Sequence, residues 1–292
     1  MFIASLVNYF GLGCERKICS DGSWSLSFIP CKLGRYRVLI EQDEDVISNK
    51  LKPEGMVHTT ILKVSGVKSY SEGKKVVSDI CSLLSLASMS QVRPYHFKFK
   101  NNEERISIVG ETMFFRPLIE ILDGSAVKSF LESTWSTYRK LKRSRKLGEV
   151  IEMLTVCELP KLPLEVQLGQ MFIILENLKS TYARYNKIPF INGFYRQLST
   201  PPKSNPSKEP KLSFEALLGK MLRSSGMRPG LKRIVNLRNE IIHFGLSRKP
   251  YSSLTRNYEF CHDIVREYLL RLLGYKGKYL IYSKACRVVG YV

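Results

Sequence analysis

The spacing of apolar residues changes near Asp123, and this change limits the fold of the 292-residue chain more than any other feature. Before it, apolar and polar residues alternate at 24–29 and 36–40, as in half-buried strands. After it, apolar residues recur every three or four positions, as on amphipathic helices. The sequence therefore predicts an α+β protein, with a β-rich N-terminal domain over residues 1–123 and an all-α helical domain over 124–292.

The remaining elements are predicted from the same periodicity and from capping residues. In the N-terminal domain we expect further strands at 57–64, 95–100 and 105–109, and a helix at 71–89. In the C-terminal domain we expect helices at 125–146, 164–185, 213–224, 229–244 and 254–273, with a terminal hairpin over 278–282 and 287–291. Four prolines and the lack of a large apolar residue in 199–211 predict a mobile loop, 199–212, inside the helical domain.

The net charge of +20 is distributed unevenly along the chain. Residues 1–123 carry 16 Lys/Arg and 14 Asp/Glu, a balance of +2, whereas residues 124–292 carry 30 and 12, a balance of +18. So basic a surface attracts polyanions, and nucleic acid is the commonest partner of this kind. We therefore expect a nucleic acid to bind the C-terminal domain.

Six of these positive charges fall within eight residues, at the predicted end of the helix 125–146. They are Arg139, Lys140, Lys142, Arg143, Arg145 and Lys146. Like charges at this density repel one another, which favours a role in guiding RNA phosphates. An ordinary solvated helix face explains the run equally well, and both interpretations stay open.

The seven cysteines indicate free thiols rather than a metal site. Cys14, Cys19 and Cys31, with His58 as a fourth ligand, lack the short paired spacing that structural zinc usually shows. Free thiols, together with the lack of a secretory leader and of a membrane-spanning apolar run, predict a cytoplasmic protein without membrane contact. The sequence also lacks phosphate loops, His-Glu-x-x-His and nucleophile-elbow motifs, so we expect no metal and no cofactor.

The predicted helix 229–244 carries a cluster of chemically useful side chains. At about 100° per residue, its apolar positions form one stripe that predicts the buried face. These positions are Ile234, Leu237, Ile241 and Phe244. Asn239 and His243 lie close together on the opposite, polar face, and Arg238 emerges beside the apolar stripe. A plain surface histidine with an asparagine neighbour and a catalytic pair are both compatible with this arrangement.

The segment Arg238-Asn239-x-x-x-His243 resembles the Arg-x4–6-His signature of HEPN domains, in the form with a polar residue directly after the arginine. The neighbouring helices also follow the order found in HEPN domains. An earlier helix contains Leu175-Glu176-Asn177-Leu178, and a closing helix after the motif reaches Tyr275. The resemblance covers residues 125–275. The preceding β-rich part is similar to the ApeA-like branch of that superfamily, as a general pattern only.

The resemblance implies a metal-independent endoribonuclease that acts as a homodimer on single-stranded RNA. The 2′-OH would attack the adjacent phosphorus and leave a 2′,3′-cyclic phosphate and a free 5′-OH. His243 would transfer the proton, Arg238 would hold the phosphate, and Asn239 would orient the imidazole or the phosphate. Bases would stack on tyrosines, for which Tyr138, Tyr182 and Tyr185 are candidates. A role in antiviral defence or as a toxin follows from the family alone.

The same signature also occurs at a second place in the chain, where Arg256-Asn257-Tyr-Glu-Phe-Cys-His262 fits Arg-x5-His. There the asparagine and histidine are about 140° apart on a helix, whereas Asn239 and His243 are nearly aligned, so we prefer the first. Two other functions fit the chain. One is a catalytically silent HEPN module that binds nucleic acid or a nucleotide, and the other is a dimerising scaffold whose β domain senses a ligand.

Overall fold

An antiparallel sheet forms the N-terminal half of the protein. The computed structural model describes residues 1–18, 24–42, 58–108, 116–158, 162–199, 205–228, 230–284 and 288–292, without the side chains of Lys17 and Pro206. The strands of the sheet are β1 (Phe2–Val7), β2 (Glu15–Ile18), β3 (Trp24–Leu33), β4 (Tyr36–Gln42), β5 (His58–Ser65), β6 (Arg93–Phe99) and β7 (Asn102–Arg105). Their order is β2-β3-β4-β5-β1-β6-β7, so the first strand pairs with both β5 and β6.

One face of this sheet is apolar, since the residues that lie opposite one another on it are aliphatic or aromatic. Phe2 and Ala4 of β1, for example, face Val64 and Leu62 of β5, and all four are buried. Helix α1 (Tyr70–Ser88) packs here, with the Phe2 ring in the space that a side chain at position 73, a glycine, would need. The sheet therefore buries one side under helices.

The C-terminal half is helical, which agrees with the predicted α+β class. Its helices are α2 (Gly124–Leu141), α3 (Leu147–Val156), α4 (Leu164–Tyr185), α5 (Phe214–Ser224), α6 (Lys232–Phe244) and α7 (Tyr251–Leu273). Two hairpins accompany them, β8 (Phe190–Ile191) with β9 (Phe194–Tyr195), and β10 (Lys278–Ile281) with β11 (Val288–Tyr291). The second is the predicted terminal hairpin. None of the described helices is long and apolar enough to cross a membrane.

The two halves share one continuous apolar core. The ring of Tyr36 on β4 contacts Trp135 on α2 edge-on, with centroids 6.3 Å apart. The backbone N–H of Lys32 on β3 donates to the Glu132 carboxylate on α2 at 2.8 Å. Residues on both sides of position 123 thus belong to the same packed interior.

Several predicted elements differ in their bounds from those in the structure, and two of these differences change the local architecture. The helix expected over 125–146 ends at Leu141, and the chain turns before α3 begins at Leu147. Lys146 makes this turn possible by adopting a left-handed backbone with φ 50°. The strand expected at 105–109 is instead the end of β7, which covers Asn102–Arg105, and position 109 lies outside the described residues.

The segment predicted as a mobile loop is tied to the first hairpin where the structure describes it. Residues 200–204 lie outside the described part. Beyond them, Arg196 donates to the backbone carbonyl of Glu209 at 2.8 Å, and the backbone N–H of Gln197 donates to Pro210 at 3.0 Å. The stretch 205–212 is therefore held in place by hydrogen bonds and contains a short 3₁₀ helix, Pro206–Lys208.

Candidate functional site

Helix α6 presents the three residues of the candidate motif. Its apolar side packs against α4 and α5 through Ile234, Leu237 and Ile241, all of which are buried. Gly245 ends the helix with φ 75°, a conformation that favours glycine. The motif thus lies on a helix whose apolar side is packed against its neighbours and whose C-terminal end is set by a glycine.

The Arg238 guanidinium is held by three neighbours. It donates to the Glu176 carboxylate on α4 at 2.8 Å and to the Asn239 side-chain oxygen at 3.0 Å. It also lies 4.7 Å above the ring of Phe214, measured from Cζ to the ring centroid. The Arg238 side chain is 23% exposed, and its Nε is buried without a hydrogen bond. These contacts fix the orientation of the guanidinium while part of it still reaches the surface.

Glu176 is shared by two cations, because Lys179 contacts its other oxygen at 2.5 Å. Lys179 is almost fully buried and also lies 4.8 Å from the Phe214 ring centroid. A carboxylate between two cations cannot neutralise both, so a net positive charge remains beside Arg238.

His243 and Asn239 are exposed on the outer face of α6, as predicted. Within the described residues, the one contact recorded for the His243 ring is with Phe244, whose centroid is 6.5 Å away. The prediction for Phe244 is wrong, because this residue is 78% exposed and does not belong to the buried stripe. It lies at the last helical position of α6, directly before Gly245 ends the helix.

Arg238 and His243 are not joined by any hydrogen bond, ion pair or ring contact in the described part of the chain. Five positions along a helix correspond to about 7.5 Å of rise and about 140° of rotation. One copy of α6 therefore points the guanidinium and the imidazole in different directions.

Large apolar side chains surround the C-terminal end of α6. They are Ile242, Phe244, Leu246 and Tyr251, which are 52%, 78%, 68% and 75% exposed. The Glu240 carboxylate holds the loop that follows the helix and carries Leu246, since it accepts hydrogen bonds from the Arg248 N–H at 2.7 Å and the Ser247 hydroxyl at 3.0 Å. The same bonds, with the Lys249 ammonium, lower the pKa of Glu240. His243 thus lies beside a small apolar surface of fixed shape.

The structure divides the basic run into three groups. Lys140, Arg143 and Lys146 are exposed, whereas Arg139 and Lys142 both pair with Asp79 of α1, at 3.5 and 2.5 Å. Arg145 is only 2% exposed and donates to the Tyr268 hydroxyl at 2.6 Å. The prediction that Arg145 guides RNA is therefore wrong, because its side chain holds α4 and α7 together inside the protein.

The basic turn and the motif arginine lie against different faces of α4. Arg145 reaches α4 at Leu178 and Thr181, whereas Arg238 reaches it at Glu176. Positions 178 and 181 are about 200° and 140° around the axis from position 176. Arg145, the buried member of the run, is thus not brought together with Arg238.

The structure also places the tyrosines and cysteines that the sequence suggested as candidates. Tyr138 and Tyr182 are buried, so they do not offer a surface for bases, whereas Tyr185 is 52% exposed. Cys14 and Cys31 are free thiols, and Cys19 lies outside the described residues. Within the described residues, no group of three or more His, Cys, Asp or Glu side chains is placed to hold a metal ion.

The second match to the signature is part of a buried polar network. His262 Nε2 and Arg266 Nη2 lie 2.9 and 2.7 Å from the same oxygen of Glu158. All three side chains are almost fully buried, and Asn257 donates to the backbone carbonyl of Ser253. The preference for Arg238 and His243 agrees with this burial, because His262 cannot contact a polymer in solution.

Burial has opposite effects on the two titratable partners in this network. Although burial by itself raises the pKa of Glu158, the surrounding His262, Arg266 and Arg116 lower it to about 2. Burial and the neighbouring Arg266 lower the pKa of His262, although Glu158 acts against them. His262 is therefore neutral and Glu158 is ionised near neutral pH.

We expect the free energy of unfolding to fall as the pH decreases below the ordinary His pKa of 6.5. In this range the unfolded chain takes up a proton at His262 that the folded chain does not, which costs at most about 1.4 kcal/mol per pH unit. Urea unfolding between pH 7.5 and 5.5 measures this slope, above the range in which Glu158 titrates. The variant His262→Gln should have the smaller slope, and equal slopes in both proteins would contradict the assignment.

Sequence reasoning missed the contacts of Glu176 and Phe214 with Arg238, and it missed the β8–β9 hairpin. No local signal marks Glu176 or Phe214 as neighbours of Arg238, since they come from two other helices. The hairpin did have a signal, because Asn192-Gly193 between apolar residues is the strongest short indicator of a two-residue turn. Comparisons of this chain with protein-family models, curated proteins and solved structures found no match.

Proposed function

We propose that this protein is a metal-independent endoribonuclease of the HEPN type and that Arg238, Asn239 and His243 form its catalytic residues. The observation that carries the proposal is the placement of an exposed imidazole and an oriented guanidinium on one well-anchored helix. The strong positive charge of the same half of the chain adds to it, since RNA is a polyanion.

Each side chain suits one part of a transesterification. The imidazole of His243 is exposed to an incoming ribose and can take a proton from the 2′-OH or give one to the leaving 5′-oxygen. The guanidinium of Arg238 is permanently charged and can bind two phosphate oxygens as negative charge develops on them. Asn239 already accepts from Arg238 at 3.0 Å, so it acts by orienting the guanidinium.

We further propose that two copies form the complete site. Because one α6 directs Arg238 and His243 about 140° apart, a phosphate between a guanidinium and an imidazole is more readily bound where two α6 helices meet. The exposed Ile242, Phe244, Leu246 and Tyr251 offer the apolar surface that such a contact needs. A homodimer would bury these side chains and bring the two His243 residues close together.

The Arg238–Glu176 ion pair favours one alternative, a module that binds nucleic acid without cleaving it. The carboxylate occupies a donor that would otherwise bind phosphate. A guanidinium has five N–H donors, however, and the recorded hydrogen bonds use one at each Nη. The chemistry therefore does not require this ion pair to break.

The decisive experiment is RNA cleavage in the presence of EDTA. Purified protein is incubated with a 5′-labelled single-stranded RNA, beside the His243→Ala variant purified in the same way. We expect cleavage by the parent protein alone, with 2′,3′-cyclic phosphate and 5′-OH ends. Salt-sensitive binding by both proteins without cleavage would favour the silent module, and products with 3′-OH ends would contradict the proposed chemistry.

A further inference from the structure

The hairpin β8–β9 exposes two phenylalanine rings at its tip. Asn192 and Gly193 form the turn with φ of 50° and 77°, and both positions tolerate such angles well. Phe194 directly follows the turn and Phe190 lies two residues before it, and they are 44% and 61% exposed. Phe190 pairs with Tyr195 and Ile191 with Phe194, so the two phenylalanine rings lie on opposite faces of the hairpin, and each offers its own surface for a base. The Phe190 ring packs against the Tyr195 ring, with centroids 4.8 Å apart. The hairpin thus presents aromatic surface to solvent on a short, rigid element.

Cations lie beside the Phe194 ring. The Lys211 ammonium is 3.8 Å from the Phe194 ring centroid, and the Arg196 guanidinium is 5.8 Å from it. Residues 184–223 contain eight Lys/Arg but only two Asp/Glu. One of the two, Glu209, is buried and accepts hydrogen bonds from Ser199. The segment that contains the hairpin is therefore rich in positive charge, and Lys211 places one of its cations beside the exposed Phe194 ring.

A chain of contacts connects the hairpin to the motif arginine. Tyr195 of β9 lies 5.9 Å from the Lys179 ammonium. Lys179 in turn lies 4.8 Å from the Phe214 ring centroid, and the Arg238 guanidinium lies 4.7 Å from the same centroid. The hairpin and the Arg238 guanidinium are thus joined through a few packed side chains, on the side of α4 that carries Glu176.

We propose that Phe190 and Phe194 stack the unpaired bases of a single-stranded RNA whose scissile phosphate is bound at Arg238. This inference rests on the proposed nuclease function and adds the place where the substrate strand is held. Aromatic rings bind bases of any sequence by stacking, and neighbouring cations bind the phosphates between them. Lys211, in contact with Phe194, would supply one such phosphate contact.

The charge of this surface favours RNA over a second copy of the chain. Two copies that met at the hairpin would bring like charges together, which costs free energy. The apolar surface at the end of α6 differs, since Phe244 and Leu246 line one pocket there together with Glu240. Each of the two exposed surfaces therefore has its own partner.

The test measures the affinity of a fluorescein-labelled single-stranded RNA of about ten nucleotides. The His243→Ala protein serves as the parent, so that the RNA stays intact. We expect Phe190→Ala with Phe194→Ala to weaken binding at least about tenfold without changing the salt dependence. Lys211→Ala should also weaken binding but reduce the salt dependence. Circular dichroism checks that each variant is folded.

The second hairpin offers a matched control. Tyr291 on β11 is 68% exposed and lies beside the Lys278 ammonium at 5.9 Å, so it is also an aromatic–cation pair on a two-stranded hairpin. Its Tyr291→Ala variant should bind RNA as the parent does. A 2-aminopurine base in the RNA should lose fluorescence on binding, and retain it with the double phenylalanine variant.

Three outcomes separate this inference from the proposed function. Equal RNA affinity of the parent and the double phenylalanine variant overturns the stacking role, even if the His243-containing protein cleaves RNA. Loss of affinity in the double variant supports the stacking role, even if no cleavage occurs with any protein. A change of oligomeric state in the double variant, with RNA affinity unchanged, assigns the hairpin to a protein interface and overturns the inference.

Discussion

Replacement of His243 by alanine is expected to lower the rate of RNA cleavage by about a hundredfold to ten-thousandfold, the usual contribution of a positioned acid or base. The imidazole is exposed and has no recorded hydrogen bond among the described residues, so its removal should leave the fold intact. Single-turnover cleavage with saturating protein separates this chemical effect from a loss of binding.

A control histidine is available on the sheet. His96 lies 2.8 Å from Glu103 on the neighbouring strand and belongs to the other half of the protein. The His96→Ala variant should cleave RNA at the parent rate. If His243→Ala and the parent cleave at the same rate, and purification has removed other nucleases, His243 is not the acid or base.

Replacement of Glu158 by alanine is expected to lower the free energy of unfolding by about 3–5 kcal/mol, since among the described residues it leaves the buried Arg266 guanidinium with only the more distant carboxylate of Asp263, at 3.7 Å. Glu158 is 5% exposed and bonds the fully buried Arg266 at 2.7 Å. Arg266 also donates to the backbone carbonyl of Arg116 at 3.0 Å, a bond that cannot neutralise its charge. Urea unfolding followed by circular dichroism gives the difference between the two proteins.

Glu152 provides the comparison for this prediction. It lies in α3, close in sequence to Glu158, and pairs with Arg93 at 2.6 Å, but its side chain is 59% exposed. Water and salt screen such a pair, so Glu152→Ala should change the free energy of unfolding by less than about 1 kcal/mol. A similar loss of unfolding free energy in both variants would contradict the prediction that the buried ion pair of Glu158 contributes more than an exposed one.

Helix and strand identity follow from the sequence wherever periodicity and caps agree. Ser213 caps α5, as its position before an apolar run predicts. Gly245 and Gly274 end α6 and α7 with positive φ, as glycine allows. The end of α2 is harder to predict, because residues 142–146 contain neither proline nor glycine and the left-handed residue is a lysine.

The candidate site is less predictable than the fold for a physical reason. The helical wheel places Asn239 and His243 outward correctly, since outward direction depends on one helix alone. The surroundings of Arg238 depend on Glu176 and Phe214, which only tertiary packing brings to it. The burial of Arg145 could not be predicted for the same reason. This arginine belongs to a basic run, and its burial depends on contacts with α4 and α7.

The continuous core has a consequence for communication between the sheet and the helices. Contacts such as that between Tyr36 and Trp135 cross directly from one half to the other, so neither half can repack without changing the other. A molecule that bound the sheet and shifted its side chains would alter the packing energy of α2 at once. Allosteric control of the helical half from the sheet therefore needs no hinge, and loosening this packing would uncouple the two.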